Sequence, residues 1–165
     1  MFGATRRWAV VAALGIAVAV PAMALEQRPL PAFSVVTPAG EPVPSAVLAA
    51  EPRVLLIFVS GPCGPCGPLW NAMEQWQIDG LPGRTVVVVD GPPARASEMA
   101  ASLPGALGAV RVFADPDGSA RQAMRLVNAL TIVGLDRGRV RWGLAGVLND
   151  PSALESVVRS WVARP

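Results

Sequence analysis

The sequence predicts an α/β domain in which a mixed central β-sheet carries helices on both faces, and three observations support that expectation. Arg53-Val54-Leu55-Leu56-Ile57-Phe58-Val59 and Thr85-Val86-Val87-Val88-Val89-Asp90 are apolar runs of strand length, rich in β-branched residues, as in strands buried on both sides. Helical patterns alternate with such runs, the arrangement that builds parallel strands with crossover helices. Near the end, Leu130 to Leu135 and Arg139 to Trp142 flank Asp136-Arg137-Gly138 and read as an antiparallel hairpin, which makes the sheet mixed.

Residues 1–24 carry the three parts of an export signal: Arg6 and Arg7 as basic start, Trp8 to Val20 as apolar centre, and Ala22-Met23-Ala24 as cleavage box. The 18 residues from Trp8 to Leu25 hold no charge, so the same segment also reads as an N-terminal membrane anchor. Residues 25–32 read as a linker and 33–165 as one domain, since 165 residues at 52% hydrophobic content suit a single core. Without Arg6 and Arg7 the remaining 12 arginines balance 12 acidic residues, and there is no lysine. A neutral domain without a basic run gives no basis for a nucleic-acid partner.

Within the domain, Phe33 to Val36 reads as a short strand, Pro38-Ala39-Gly40-Glu41 as a turn into Pro42-Val43-Pro44, and Ser45 to Ala50 as a helical turn. Arg53 to Val59 is the central strand. Beyond it, Leu69, Met73 and Trp76, with Trp70 beside them, recur at helical spacing and mark a core-facing stripe. Pro68 falls where a helix begun at Cys63 needs an N–H donor, so an irregular first turn is expected. The Thr85 to Asp90 strand ends at Gly91-Pro92-Pro93, and Ala94 to Leu103 forms a helix stopped by Pro104-Gly105. Arg111 to Phe113 is a strand, Ser119 to Val127 a helix, and Asn149-Asp150-Pro151 caps a closing helix to about Val162.

Both cysteines of the chain lie in Gly61-Pro62-Cys63-Gly64-Pro65-Cys66-Gly67-Pro68, where the central strand hands over to a helix. A cysteine in a first helical turn meets unpaired N–H groups and the positive end of the dipole, which favour a thiolate. Cys63 is therefore the expected nucleophile, and Cys66, three residues on, the resolving thiol. A purely structural disulfide explains the pair poorly, because so short a loop constrains the unfolded chain little. Zinc lacks ligands in a chain with no other Cys and no His. The three Gly-Pro-x triplets from Gly61 to Leu69 are too few for a collagen-like helix and bear on local shape.

Cys63-Gly64-Pro65-Cys66 after a buried strand, with a later hairpin and terminal helix, resembles the thioredoxin superfamily over Phe33 to Val162. The tetrapeptide is that of thioredoxin itself. The export segment, the Phe33 to Pro44 region, Asp115-Pro116-Asp117-Gly118 and Leu135-Asp136-Arg137-Gly138-Arg139 are similar to the exported TlpA/ResA-type branch. Phe58-Val59-Ser60 and Gly146-Val147-Leu148-Asn149, before Leu154-Glu155, resemble the MauD accessory proteins.

The resemblance implies a thioredoxin-like fold, a redox-active disulfide with no other cofactor, and an active-site turn positioned by Pro62, Gly64 and Pro65. It also implies a candidate client groove at Ala129, Leu130 and Thr131. Three features depart from the family pattern. Pro62 replaces an aromatic residue, Asn128-Ala129-Leu130-Thr131 lacks the family's cis-proline, and Ile57 and Leu69 offer no acidic group for proton transfer.

The function expected is that of an exported thiol-disulfide oxidoreductase, periplasmic or otherwise extracytoplasmic, secreted or anchored to the inner membrane. Its Gly-Pro linker suggests a reductant of disulfides in exported client proteins, of the kind used in cytochrome c or quinoprotein maturation. A membrane electron-donor protein would resupply it, and residues 8–25 would serve as its tether. One alternative is a Cu(I)-binding metallochaperone-like domain, since two thiolates satisfy that soft ion, although the sequence shows no His or neighbouring Met to assist. Another is a thioredoxin-like binding module without catalysis. A peroxiredoxin arrangement is not met, because Leu56 stands where its proline belongs. Hydrolases built on His are excluded by composition.

Overall fold

The computed structural model describes residues 28–146 and 151–163. Its elements are β1 (Ser34–Val36), β2 (Pro42–Pro44), α1 (Ser45–Leu48), β3 (Val54–Val59), α2 (Cys66–Gln75), β4 (Thr85–Asp90), α3 (Pro93–Ser102), β5 (Arg111–Asp115), α4 (Ser119–Met124), β6 (Leu130–Asp136), β7 (Arg139–Ala145) and α5 (Pro151–Val162). They build one seven-stranded sheet in the order β2-β1-β5-β4-β3-β6-β7. β3, β4 and β5 are parallel. β6 runs antiparallel to β3, and the β6–β7 and β1–β2 pairs are also antiparallel. The sheet is therefore mixed, as the sequence predicts.

All six residues of β3 are buried, which explains its unbroken apolar run. Alternate side chains divide between two cores. Leu55, Ile57 and Val59 pack with Leu69, Trp70 and Met73 of α2 and with Leu154, Val158 and Trp161 of α5. Val54, Leu56 and Phe58 pack on the other face with Leu48 of α1 and with Ala120 and Met124 of α4. The stripe expected on the helix after the cysteines is thus core, with Trp76 just beyond its end also buried.

Several boundaries differ from the sequence reading. Pro42–Pro44, expected only as the segment that the turn leads into, is an edge strand in register with β1. Proline is tolerated there because an edge strand leaves one row of N–H groups unused. β5 runs two residues further than expected, to Asp115. α4 ends at Met124 rather than Val127, because Arg125 takes a left-handed conformation with φ 55°. The described part of the expected linker is hydrogen-bonded to the β6–β7 turn, with the Leu30 N–H donating to Gly138 O at 2.8 Å and the Val140 N–H to Arg28 O at 2.9 Å. The export segment and the Asn149-Asp150 cap lie outside the described residues.

The greatest revision concerns α2. It starts at Cys66, with Pro65 as N-cap, and not at Cys63. Pro68 is then the third helical residue, a position where an N–H would find no acceptor within the helix, so its lack of a donor breaks no bond and the expected irregular first turn is unnecessary.

Candidate active site

β3 delivers the chain to the end of the sheet at Val59, and Ser60 is held there by its N–H donating to Ala129 O at 2.8 Å. Gly61 then turns the backbone with φ 60°, a left-handed conformation that glycine adopts without strain. Cys63 precedes the helix, in a turn closed by the Cys66 N–H donating to Cys63 O at 3.2 Å. The two cysteines form a disulfide with Cα atoms 5.4 Å apart. Cys66 is 5% exposed and belongs to the core, whereas Cys63 is half-buried at the surface. A partner disulfide approaching from solvent therefore meets the Cys63 sulfur first.

The residues expected to position the turn occupy it in distinct ways. Pro62 and Gly64 are exposed, and Pro65 supplies the N-cap with φ −70°. Ala129, Leu130 and Thr131 adjoin the site where β6 pairs with the end of β3. Leu130 and Thr131 are 2% and 8% exposed, so Ala129 alone of the three presents surface. No cis peptide bond occurs among the described residues, in keeping with the missing proline. Ile57 and Leu69 are both buried, and neither carries a carboxylate.

The open space beside the disulfide lies on the opposite flank, between α2 and α3. This groove of about 370 Å³ is lined by Cys63, Cys66 and Trp70 and, from α3, by Arg95, Glu98, Met99 and Ser102. Arg95 is fixed at its mouth, its Nη1 donating to Asp90 O at 3.1 Å. Sequence reasoning missed these α3 residues, although positions 95, 98, 99 and 102 carry the i, i+3, i+4, i+7 signature of one helical face. It also missed that Met99, remote in sequence, shares a groove with both cysteines.

A seven-stranded mixed sheet with a disulfide-bonded C-x-x-C at the end of its central strand matches solved structures closely in shape. The chain has a thioredoxin-like fold. One similar structure is provisionally designated thiol:disulfide interchange protein DsbE from Chlorobium tepidum, with 22% identity, a TM-score of 0.62, and coverage of 83% of this chain and 97% of that one. A secreted Mycobacterium tuberculosis disulfide oxidoreductase, homologous to E. coli DsbE, matches at 13% identity and TM-score 0.60, over 78% of this chain and 95% of its own. DsbF of M. tuberculosis, determined in mixed oxidised and reduced forms, matches at 19% identity and TM-score 0.60, over 78% and 94%. No family model and no curated protein matches the sequence. In this thioredoxin-like frame the pair Cys63 and Cys66 stands where strand, turn and helix meet, as the C-x-x-C spacing predicts.

Proposed function

We propose that the chain is a thiol-disulfide oxidoreductase that acts outside the cytoplasm as a reductant of disulfides in exported client proteins. The observation that carries this reading is the unequal exposure of a bonded pair, with Cys63 at the surface and Cys66 in the core. In the reduced protein the Cys63 thiolate attacks a client disulfide, forming a mixed disulfide and releasing one client thiolate. Cys66 then attacks the Cys63 sulfur, the second client thiolate leaves, and the Cys63–Cys66 disulfide remains. Two electrons have passed to the client, and the structure described here is the oxidised product of that turnover. The positive end of α2, which begins at Cys66, favours negative charge on sulfur at this end of the helix.

Resolution requires that Cys66 lose a proton. Glu98 is the one carboxylate lining the groove shared with both cysteines, and in this reading it accepts that proton through water. The redox centre is the disulfide itself, with no further cofactor. A membrane electron-donor protein returns the pair to its thiols, and residues 8–25 tether the domain where they are not removed. The similarity in fold to a secreted disulfide oxidoreductase supports an extracytoplasmic site of action. Cytochrome c or quinoprotein maturation is the client setting that the sequence resemblance suggests.

A second reading is Cu(I) binding by Cys63 and Cys66, and it draws support from Met99, a thioether that lines the same groove. Copper titration of the reduced protein, with a C63S/C66S variant as control, separates the two. Tight binding by the thiols alone, without disulfide exchange, supports the metal site.

The test of the first reading is a titration of the protein in thiol buffers of graded potential, with Cys63 and Cys66 read by alkylation mass shift. A reversible two-electron couple near about −270 mV identifies a reductant, and one near about −120 mV an oxidant. A pair still oxidised below about −300 mV is structural and defeats the proposal.

A further inference from the structure

Seven of the eleven arginines among the described residues gather at one end of the sheet. β3, β4 and β5 run parallel, so their first residues share that end, and the β6–β7 turn reaches it because Leu135 lies opposite Val54. Arg53 and Arg84 immediately precede β3 and β4, and Arg111 opens β5. Arg137 in the turn and Arg139 and Arg141 on β7 are exposed. Arg28, also exposed, is held at the same place by the hydrogen bonds of the Arg28–Leu30 segment to β7 and the turn. Glu51, Glu74, Asp79 and Asp136 lie toward this end, the β1–β2 turn brings Glu41 the same way, and Asp136 is paired with Arg141 at 3.0 Å. Positive charge therefore prevails.

The disulfide lies beyond Val59, at the far end of a six-residue strand, about 20 Å away. Asp90, Glu98, Asp115 and Asp117 are found at that end, together with Arg95, Arg121 and Arg125. With Arg121 paired to Asp90 at 3.1 Å and Asp115 buried, charge around the disulfide is close to balanced, and the excess of arginine lies at the opposite end.

Only Glu26 and Gln27 separate Arg28 from the uncharged apolar stretch that ends at Leu25. Three residues span at most about 10 Å, so a bilayer entered by residues 8–25 lies within reach of the arginine end. We propose that this end, with Arg28, Arg137, Arg139 and Arg141 foremost, seats on anionic phospholipid headgroups. The disulfide is thereby turned away from the bilayer toward clients in the aqueous compartment. The proposal rests on the tether through residues 8–25 given above. Each arginine close to an anionic surface strengthens the attraction by roughly fivefold.

The test uses the full chain in nanodiscs of phosphatidylglycerol and, separately, of phosphatidylcholine, with hydrogen exchange followed by mass spectrometry. Exchange of residues 28–30 and 136–141 should be about fivefold slower or more in phosphatidylglycerol. High salt or the R28E/R137E variant should abolish the difference, and residues 61–67 should exchange alike in both lipids. Equal exchange at 28–30 and 136–141 in the two lipids, or protection at 61–67 instead, would overturn the proposal. The comparison of lipids and salt on the unaltered chain stands even if the variant misfolds. An alkaline wash that strips the full chain from vesicles would reject the tether alone. Sedimentation of that released chain, returned to neutral pH, then decides the arginine end. Selective pelleting with phosphatidylglycerol supports it, and pelleting with neither lipid overturns it.

Discussion

Cys63 and Cys66 share one bond but occupy different environments, and in the proposed reaction that difference sets their order. Because Cys63 is half-buried at the surface and Cys66 is 5% exposed, a Cys66→Ser variant should accumulate a mixed disulfide through Cys63. Mass spectrometry of the variant after incubation with a disulfide peptide reads this directly, and Cys63→Ser should trap nothing. Glu98→Gln should slow the resolving step by about 100-fold while leaving the initial attack of Cys63 unchanged, as stopped-flow measurement of the two phases would show. At the other side of the sheet, the Ser119 N–H donates to Asp117 Oδ1 at 3.0 Å. That backbone bond, with the Ser119 side chain, holds the Asp117 carboxyl below its ordinary value of 3.8. A depressed carboxylate stabilises the fold above its unfolded pKa, and the contribution is lost as pH falls through the folded value. Asp117→Asn should flatten that part of the acid limb in a pH series of urea melts.

At the scale of elements, the strands whose residues are buried on both faces were legible, because burial demands an unbroken apolar run. β3 and β4 are such strands. β2 was not legible, since Pro42 and Pro44 carry turn signals and only the neighbouring β1 makes them a strand. The β6–β7 hairpin holds a register shift at Gly134/Leu135, and there the Trp142 indole lies against the Gly134 backbone. A Cβ at Gly134 would overlap that indole, whose ring also meets Trp161 edge-on at 5.8 Å between centroids. Gly134→Ala should therefore destabilise the fold by about 2 kcal/mol, measured by chemical denaturation, with loss of the Trp142–Trp161 contact in near-ultraviolet circular dichroism. The helix after the cysteines was foreseen, but its first residue was not. Sequence spacing alone does not distinguish a helix that includes Cys63 from one that begins at Cys66, and the turn closed by Cys66 onto Cys63 decides it.

For the whole molecule, the neutral balance of charge hides an excess of arginine at the end of the sheet away from the disulfide. The groove beside the disulfide sets Arg95 against Glu98, so peptide disulfides flanked by arginines and by glutamates should be reduced at similar rates at low salt. Stopped-flow rates that differ by about tenfold or more at low salt and converge as salt rises would reject this balance. By itself the sequence determined the α/β class, the central strand, the core stripe of α2 and the site of the disulfide. These are written in local signals: apolar runs, helical spacing, and two cysteines separated by two residues. Only the tertiary structure decided which flank of the disulfide is open. Leu130 and Thr131, adjacent to the site, turn into the core, while Arg95, Glu98 and Met99 arrive from a helix some thirty residues away in the chain. The arginine end likewise emerges only when parallel strands bring their first residues together. Local pattern reports what each segment must bury, but proximity between segments is set by register and packing across the sheet.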